Sequence, residues 1–302
     1  MSASSVPDFA AVPFFPGAFM SADFVPGTGP GCGRHSFACA GESESLWPPP
    51  LALLVGGLAT RLQPLTAALP KSLIEVAGEP FLAHQLRLIR AGGIRDVVLC
   101  CGFGGQQIQD FAGDGSRFGL SISYSCDGDQ PLGTGGALRA ALPLLGRRFL
   151  VMYGDSWLTE PIEPIWRAFL DSGKPALMTV FRNENRWGAS NVDYRDGLVV
   201  DYHSRQPCPA LRFIDYGLEA LEAKTLAHWT VPAFDLGDVW SGLASYRMLA
   251  GYEASARFYE IGSFPGLRET EAVVAATAPL DPLPLTGGCP PSQRRARGVG
   301  SS

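Results

Sequence analysis

An open, mostly parallel (Rossmann-like) α/β sheet with helices on both faces, in a single domain, is the fold class that three features of this 302-residue sequence predict. Short uncharged apolar runs alternate with segments of helical spacing, the runs end in glycine or aspartate, and 46% hydrophobic against 18% charged residues is enough to bury one large core. "LALLVGG" (51 to 57) reads as a buried strand, "PFLAHQLRLIRAGG" (80 to 93) as a helix with a glycine stop, and "DVVLCCGF" (96 to 103) as a second strand. That order is βαβ, which implies parallel strands. "RFLVMYGD" (148 to 155), "PIWRAFLDSG" (164 to 173) and "PALMTVFR" (175 to 182) continue the alternation.

Composition changes at both ends. Residues 1 to 49 are rich in proline and glycine and end in "LWPPP", and 279 to 302 carry a similar Pro/Gly/Ser bias. The expectation is a disordered extension at 1 to 49, a folded domain at 50 to 278 and a disordered tail at 279 to 302. The formal net charge is -5 and the cations are scattered, so no basic footprint for nucleic acid is present. Seven cysteines, an odd number without CxxC pairs or zinc spacing, predict free thiols in a reducing cytoplasm. Prolines and acids interrupt the apolar stretches of the first fifty residues, so no membrane span or signal peptide is expected.

In an open α/β sheet, ligands sit beyond the carboxyl ends of the strands. "LLVGGLATRLQPLTAALPKSL" (53 to 73) lies at such an end, and presents two glycines, Arg61 and Lys71. It lacks the G-x-G-x-x-G spacing of a dinucleotide fold and the Gly-Lys-Ser/Thr of a P-loop. Paired glycines let the backbone approach a ligand closely and expose N–H groups to phosphate oxygens, while arginine supplies a planar fork of donors. Pro64 and Pro70 stiffen the following loop enough to return Lys71 to the same place. Asp155, after the apolar run "FLVMYG", is presented to the crevice by the same logic.

The stretch GGLATRLQPLT, followed by PK and VAGEP, resembles the signature of the sugar-1-phosphate nucleotidyltransferases, GG-x-GTRL-x-P-x-T, PK and V-x-G-x-P. "PLGTGGAL" (131 to 138), "YGDS" (153 to 156), "FIDYGL" (213 to 218) and "FYEIGS" (258 to 263) continue it in the family's order. The resemblance implies a GT-A-like nucleotidyltransferase fold and a reaction in which a phosphate oxygen of a hexose or heptose 1-phosphate attacks the α-phosphorus of an NTP, releasing pyrophosphate. It implies Arg61 and Lys71 as the catalytic cations. Gly56, Gly57, Leu58, Ala59 and Thr60 would lie at the nucleotide phosphates, and Pro131, Gly133 and Thr134 at the nucleobase. The sugar side would be Gly154, Asn191, Arg205, Asp215 and Gly217. Mg²⁺ would be held by Asp155 and Glu260, the latter where the family usually has aspartate.

Two further departures mark the chain: Ala59 stands for the usual glycine, and Ser204 for a lysine that would neutralise the sugar phosphate. They support an alternative, a catalytically weak nucleotide-sugar-binding regulatory homologue. A glycosyltransferase would be expected to carry a D-x-D motif, which Asp155-Ser156-Trp157 does not supply. Guanine is preferred by analogy, with uracil and thymine open. The partners expected are the NTP and the sugar 1-phosphate, without nucleic acid or membrane, and a homo-oligomer is compatible with the sequence.

Overall fold

The computed structural model describes residues 47–57, 62, 69–128, 130–203 and 208–277. The predicted strand at 51 to 57 forms β1 (Leu51–Leu54), and the chain continues through a 3-10 turn at Lys71–Leu73 to a small hairpin, β2 (Glu75–Val76) and β3 (Glu79–Pro80). Then come α1 (Phe81–Ala91), β4 (Asp96–Cys101), α2 (Gly105–Ala112), β5 (Ser121–Cys126), α3 (Gly133–Leu145) and β6 (Arg148–Tyr153). The second half contains β7 (Ser156–Trp157), α4 (Ile162–Ser172), β8 (Ala176–Arg182), β9 (Val192–Arg195), β10 (Leu198–Tyr202) and β11 (Phe213–Glu222). It closes with α5 (Lys224–Ala227), α6 (Leu236–Ser245), β12 (Leu249–Ala254), β13 (Tyr259–Glu260) and α7 (Phe264–Ala276).

The main sheet runs β5-β4-β1-β6-β11-β8-β12-β10-β9. Its first four strands are parallel, with Leu53 beside Leu99 on one side and Met152 on the other. Alternate residues face opposite layers. Leu51, Leu53, Leu99 and Met152 pack under α1, α2 and α4, while Ala52, Val98, Phe149 and Val151 pack under α3, α5 and α6. A smaller cluster of Val76, Phe81, Trp157, Ile261 and Val274 fastens the β7–β13 ribbon and α7 to the main body.

The expectation of an open, mostly parallel sheet is corrected beyond β6. β11 is antiparallel to β6 and to β8, β10 is antiparallel to β12 and β9, and β9 returns to pair with the start of β11 at Phe213↔Val192. This half therefore curls on itself into a partial barrel. Two local features bend it. The β9–β10 turn is Asp196-Gly197, with φ of 50° and 79°, the left-handed pair that a two-residue hairpin requires. β11 also carries a bulge between Asp215 and Glu219, centred on Gly217 with φ 90°. Continuous apolar runs follow from burial on both faces and not from strand direction, which is why the runs alone suggested parallel strands.

Candidate active site

β1, β4, β5 and β6 end on one edge of the sheet, and the loops beyond them wall a cavity of about 670 Å³. Val55 N–H donates to Cys100 O at 3.0 Å and Gly154 N–H to Leu54 O at 2.9 Å, so the ladder continues past the strands into the loops. Glycine is needed there for packing. A Cβ on Gly56 would lie 2.7 Å from Gly102 N, and one on Gly154 would lie 2.5 Å from Leu54 O. Gly57 differs, because a Cβ there would meet nothing within 4 Å, and its open side lies on the cavity wall. Gly56 thus packs the lip, and Gly57 leaves backbone accessible to a ligand.

The 3-10 turn places Lys71 on the cavity wall, with Leu73 N–H donating to Pro70 O at 2.9 Å. Lys71 Nζ lies 2.6 Å from Asp155 Oδ2; the lysine side chain is 13% exposed and the aspartate 37%. Both line the cavity, together with Gly154. An ammonium group has three donors, and one bond to Asp155 leaves two to offer to an anion.

Glu260 pairs with Ser156 across the β7–β13 ribbon, next in sequence to Asp155, and Ile261 N–H donates to Asp155 O at 3.0 Å. Its side chain turns toward the start of α7. Ser263 hydroxyl donates to Oε1 at 2.7 Å, Gly262 N–H donates to Oε2, and Ser263 in turn accepts from Gly266 N–H at 3.1 Å. Glu260 is therefore engaged in local helix capping, while Asp155 opens into the cavity. Among the described residues, no three His, Cys, Asp or Glu side chains gather as a metal cluster.

Pro131, Gly133 and Thr134 line the cavity at the start of α3. Their glycine-rich setting serves the segment at 232 to 235. A Cβ would lie 2.6 Å from Phe234 O at Gly133, 2.3 Å from the Phe234 ring at Gly135 and 2.6 Å from Pro232 O at Gly136. Gly135 and Gly136 N–H groups both donate to Phe234 O, and Thr134 Oγ1 accepts from Leu236 N–H at 2.8 Å, the first residue of α6. Asp127 is a cavity residue that sequence reading missed. It follows β5, accepts from Leu132 N–H at 3.2 Å, and burial raises its carboxyl above the usual carboxylate range. The signal that singled out Asp155, an acid just past a strand, applies equally to Asp127.

Asn191, Asp215 and Gly217 come together, but none of the three lines the cavity. Asn191 Oδ1 accepts from Asp215 N–H at 3.0 Å, Asp215 Oδ1 accepts from Gly217 N–H at 2.9 Å, and Tyr202 hydroxyl donates to Asp215 Oδ2 at 3.2 Å. A Cβ on Gly217 would lie 2.7 Å from Ser156 Oγ and 3.5 Å from the Tyr153 ring, so the bulge touches the turn that carries Asp155. Leu58, Ala59, Thr60, Arg61, Ser204 and Arg205 lie outside the described residues.

Glycine loops at parallel strand ends, with a lysine and an aspartate paired on the cavity wall, form the ligand-facing edge of an α/β fold that solved structures share. One, described as a glucose-1-phosphate thymidylyltransferase of Bacillus anthracis, superposes with a TM-score of 0.67 at 21% identity, covering 76% of this chain and 96% of that one. The nucleotidyl transferase family model matches residues 52–191, and curated relatives that the chain resembles are sugar-1-phosphate nucleotidyltransferases. A glucose-1-phosphate thymidylyltransferase of Streptomyces antibioticus is 36% identical over 161 residues, 52% of this chain and 45% of the relative. A mannose-1-phosphate guanylyltransferase of Mycobacterium tuberculosis is 45% identical over 104 residues, 34% of this chain and 29% of the relative. The chain spans less than half the length of each of these two curated relatives. Among the described residues, Cys100, Cys101, Cys126 and Cys208 are free thiols, and no helix is long and apolar enough to cross a membrane.

Proposed function

We propose that this protein transfers a nucleotidyl group from an NTP to a hexose or heptose 1-phosphate, giving an NDP-sugar and pyrophosphate. The observation that carries this reading is the Lys71–Asp155 pair, 2.6 Å apart on the wall of a glycine-lipped cavity at the parallel strand ends. Such a transfer needs no protein nucleophile. Alignment and charge compensation do the chemistry, and positively charged groups at the phosphates stabilise the transition state. In this reading Lys71 spans the attacking phosphate and the α-phosphate, and Arg61 steadies the departing pyrophosphate. Residues 50 to 278 form the catalytic domain, acting in the cytoplasm.

Mg²⁺ fits the donor set in kind, since Asp155 and Glu260 are hard oxygen ligands on adjoining backbone. When bound, the ion would neutralise phosphate charge. Asp155 would hold it from the cavity wall, and Glu260 would exchange its bonds to Ser263 and Gly262 to join. Asp215, Asn191, Gly217 and Arg205 are assigned to the sugar, and Pro131, Gly133 and Thr134 to the base, with guanine favoured over thymine and uracil.

Pyrophosphate release, measured with Mg²⁺ across the common NTPs and dTTP against mannose, glucose, N-acetylhexosamine and heptose 1-phosphates, tests the reaction. A single active pair is expected. Silence across the grid in protein that still binds a nucleotide would replace the enzyme with the regulatory homologue. Asp155→Asn is expected to abolish metal-dependent turnover and Glu260→Asp to retain part of it. Loss of metal dependence in Asp215→Asn instead would overturn the ligand assignment.

A further inference from the structure

Glu219 lies in the middle of β11, between Val151 of β6 and Met178 of β8, and is 0% exposed. Neither of its carboxyl oxygens receives a hydrogen bond from any donor among the described residues. An ionised carboxylate buried in this way would lose its hydration without any compensating hydrogen bond or cation. The group that acts on it electrostatically is another acid, Asp215, on the far side of the Gly217 bulge in the same strand. Two carboxylates are both pure acceptors, so a bond between them requires a proton on one.

Among the described residues, the other groups facing the pair add no positive charge. Tyr153 of β6 and Tyr202 of β10 face Glu219, and Asp155 acts on Asp215 from the cavity side. Burial raises the Asp215 carboxyl as well, but Asp215 accepts from Gly217 N–H and Tyr202 hydroxyl, bonds that favour its charged form and that Glu219 lacks, so of the two Glu219 keeps the proton. Burial pushes the Glu219 carboxyl well above the usual range, in agreement with that assignment.

We propose that Glu219 is a positioning residue: its neutral carboxyl donates to Asp215, and so fixes the Asp215 carboxylate and the Gly217 bulge against the Ser156 turn. With that bond made, the observed contacts carry on from Asp215 to Gly217 N–H and to the turn bearing Asp155. A buried acid that keeps its proton thereby shapes the side of the crevice assigned to the sugar. The sugar consequence rests on the function proposed above; the shared proton and the bulge do not.

Three measurements on the full chain test it, two of them needing no turnover. Infrared spectra of the wild type near neutral pH are expected to show a protonated-carboxyl band that Glu219→Gln loses. A wild type without such a band overturns the proposal, whichever variants fold. The folded acid holds its proton above the pH at which the unfolded one, with a pKa of about 4.3, releases it. Wild-type stability should therefore fall as pH rises above that value, and the melting temperature of Glu219→Gln should fall less. Parallel curves would overturn the idea.

Hydrogen exchange over 213 to 222 should stay slow in Glu219→Gln, whose amide can still donate to Asp215, and quicken in Glu219→Ala. Equal exchange in both would remove the positioning role. If nucleotidyl transfer is active, Glu219→Ala should raise KM for the sugar 1-phosphate at least tenfold while leaving KM for the NTP near wild type, with Glu219→Gln rescuing it. A band and a pH slope without turnover would leave the proton pair standing and bring down the catalytic reading alone.

Discussion

In the parallel half of the sheet, charged residues stand at strand ends: Asp96 and Arg148 where β4 and β6 begin, Asp127 and Asp155 just past β5 and β6. Between them lie apolar stretches, covered on both faces by helices. In the curled half, ionisable residues stand inside strands, with Asp193 in β9, Asp201 in β10, Asp215 and Glu219 in β11 and Glu253 in β12. Some of these face water and find surface partners, such as Glu253 with Arg182 at 3.3 Å. Glu219 is sealed in. The comparison teaches that a charge at a strand end keeps access to solvent or ligand and can pair at the cavity wall, as Asp155 does with Lys71. A mid-strand acid in the dry interior has to keep its proton.

The largest effect that would sharpen this contrast is expected from Phe149→Ala, which empties a fully buried site in the parallel half and should cost about 3–5 kcal/mol by denaturant titration. A loss below that of Glu219→Gln would mean the apolar half is not the stability core. Lys71→Ala should lower turnover by about 10²–10³, the cost of removing one transition-state donor, with little change in melting temperature because Asp155 remains partly exposed. Wild-type rates in this variant would break the assignment of strand-end charge to chemistry.

A third comparison lies within the lip. Gly56→Ala should destabilise by about 1–3 kcal/mol, because its Cβ meets backbone at 2.7 Å. Gly57→Ala should leave stability unchanged and weaken nucleotide binding, read as a rise in Kd. Equal unfolding midpoints for the two variants would contradict the packing described for Gly56. The smallest effect belongs to Arg167→Ala, which removes an exposed i,i+4 pair with Glu163 on α4 and should cost about 0.3–0.5 kcal/mol. A loss of several times that would show surface charge contributing more than the geometry allows.

Much of the crevice could be read before the fold was known. Lys71, Gly56, Gly57 and Asp155 occupy short motifs beside apolar runs, and each of them lines the cavity. Asp127 could have been found by the same rule. Glu219 could not, because one glutamate in "FIDYGLEALE" reads by alternation as a residue on a wet face. The "PLGTGGAL" block was read as lying at a nucleobase, whereas the group its glycines pack against in the fold is Phe234, some hundred residues later, which the sequence did not disclose.

Local chemistry explains this division. Apolar run length, helical spacing and glycine beyond a strand are set by burial and backbone sterics within a few residues, so the amino-acid order alone dictated the alternating elements, the helices on both faces and the lip of the crevice. Strand direction beyond β6, the closure of β9 on β11, and the meeting of Glu219 with Asp215 around a bulge depend on which distant surfaces pack together. Those were decided by the tertiary structure, because pairing energies between strands are made only when the folded topology brings the neighbours into register.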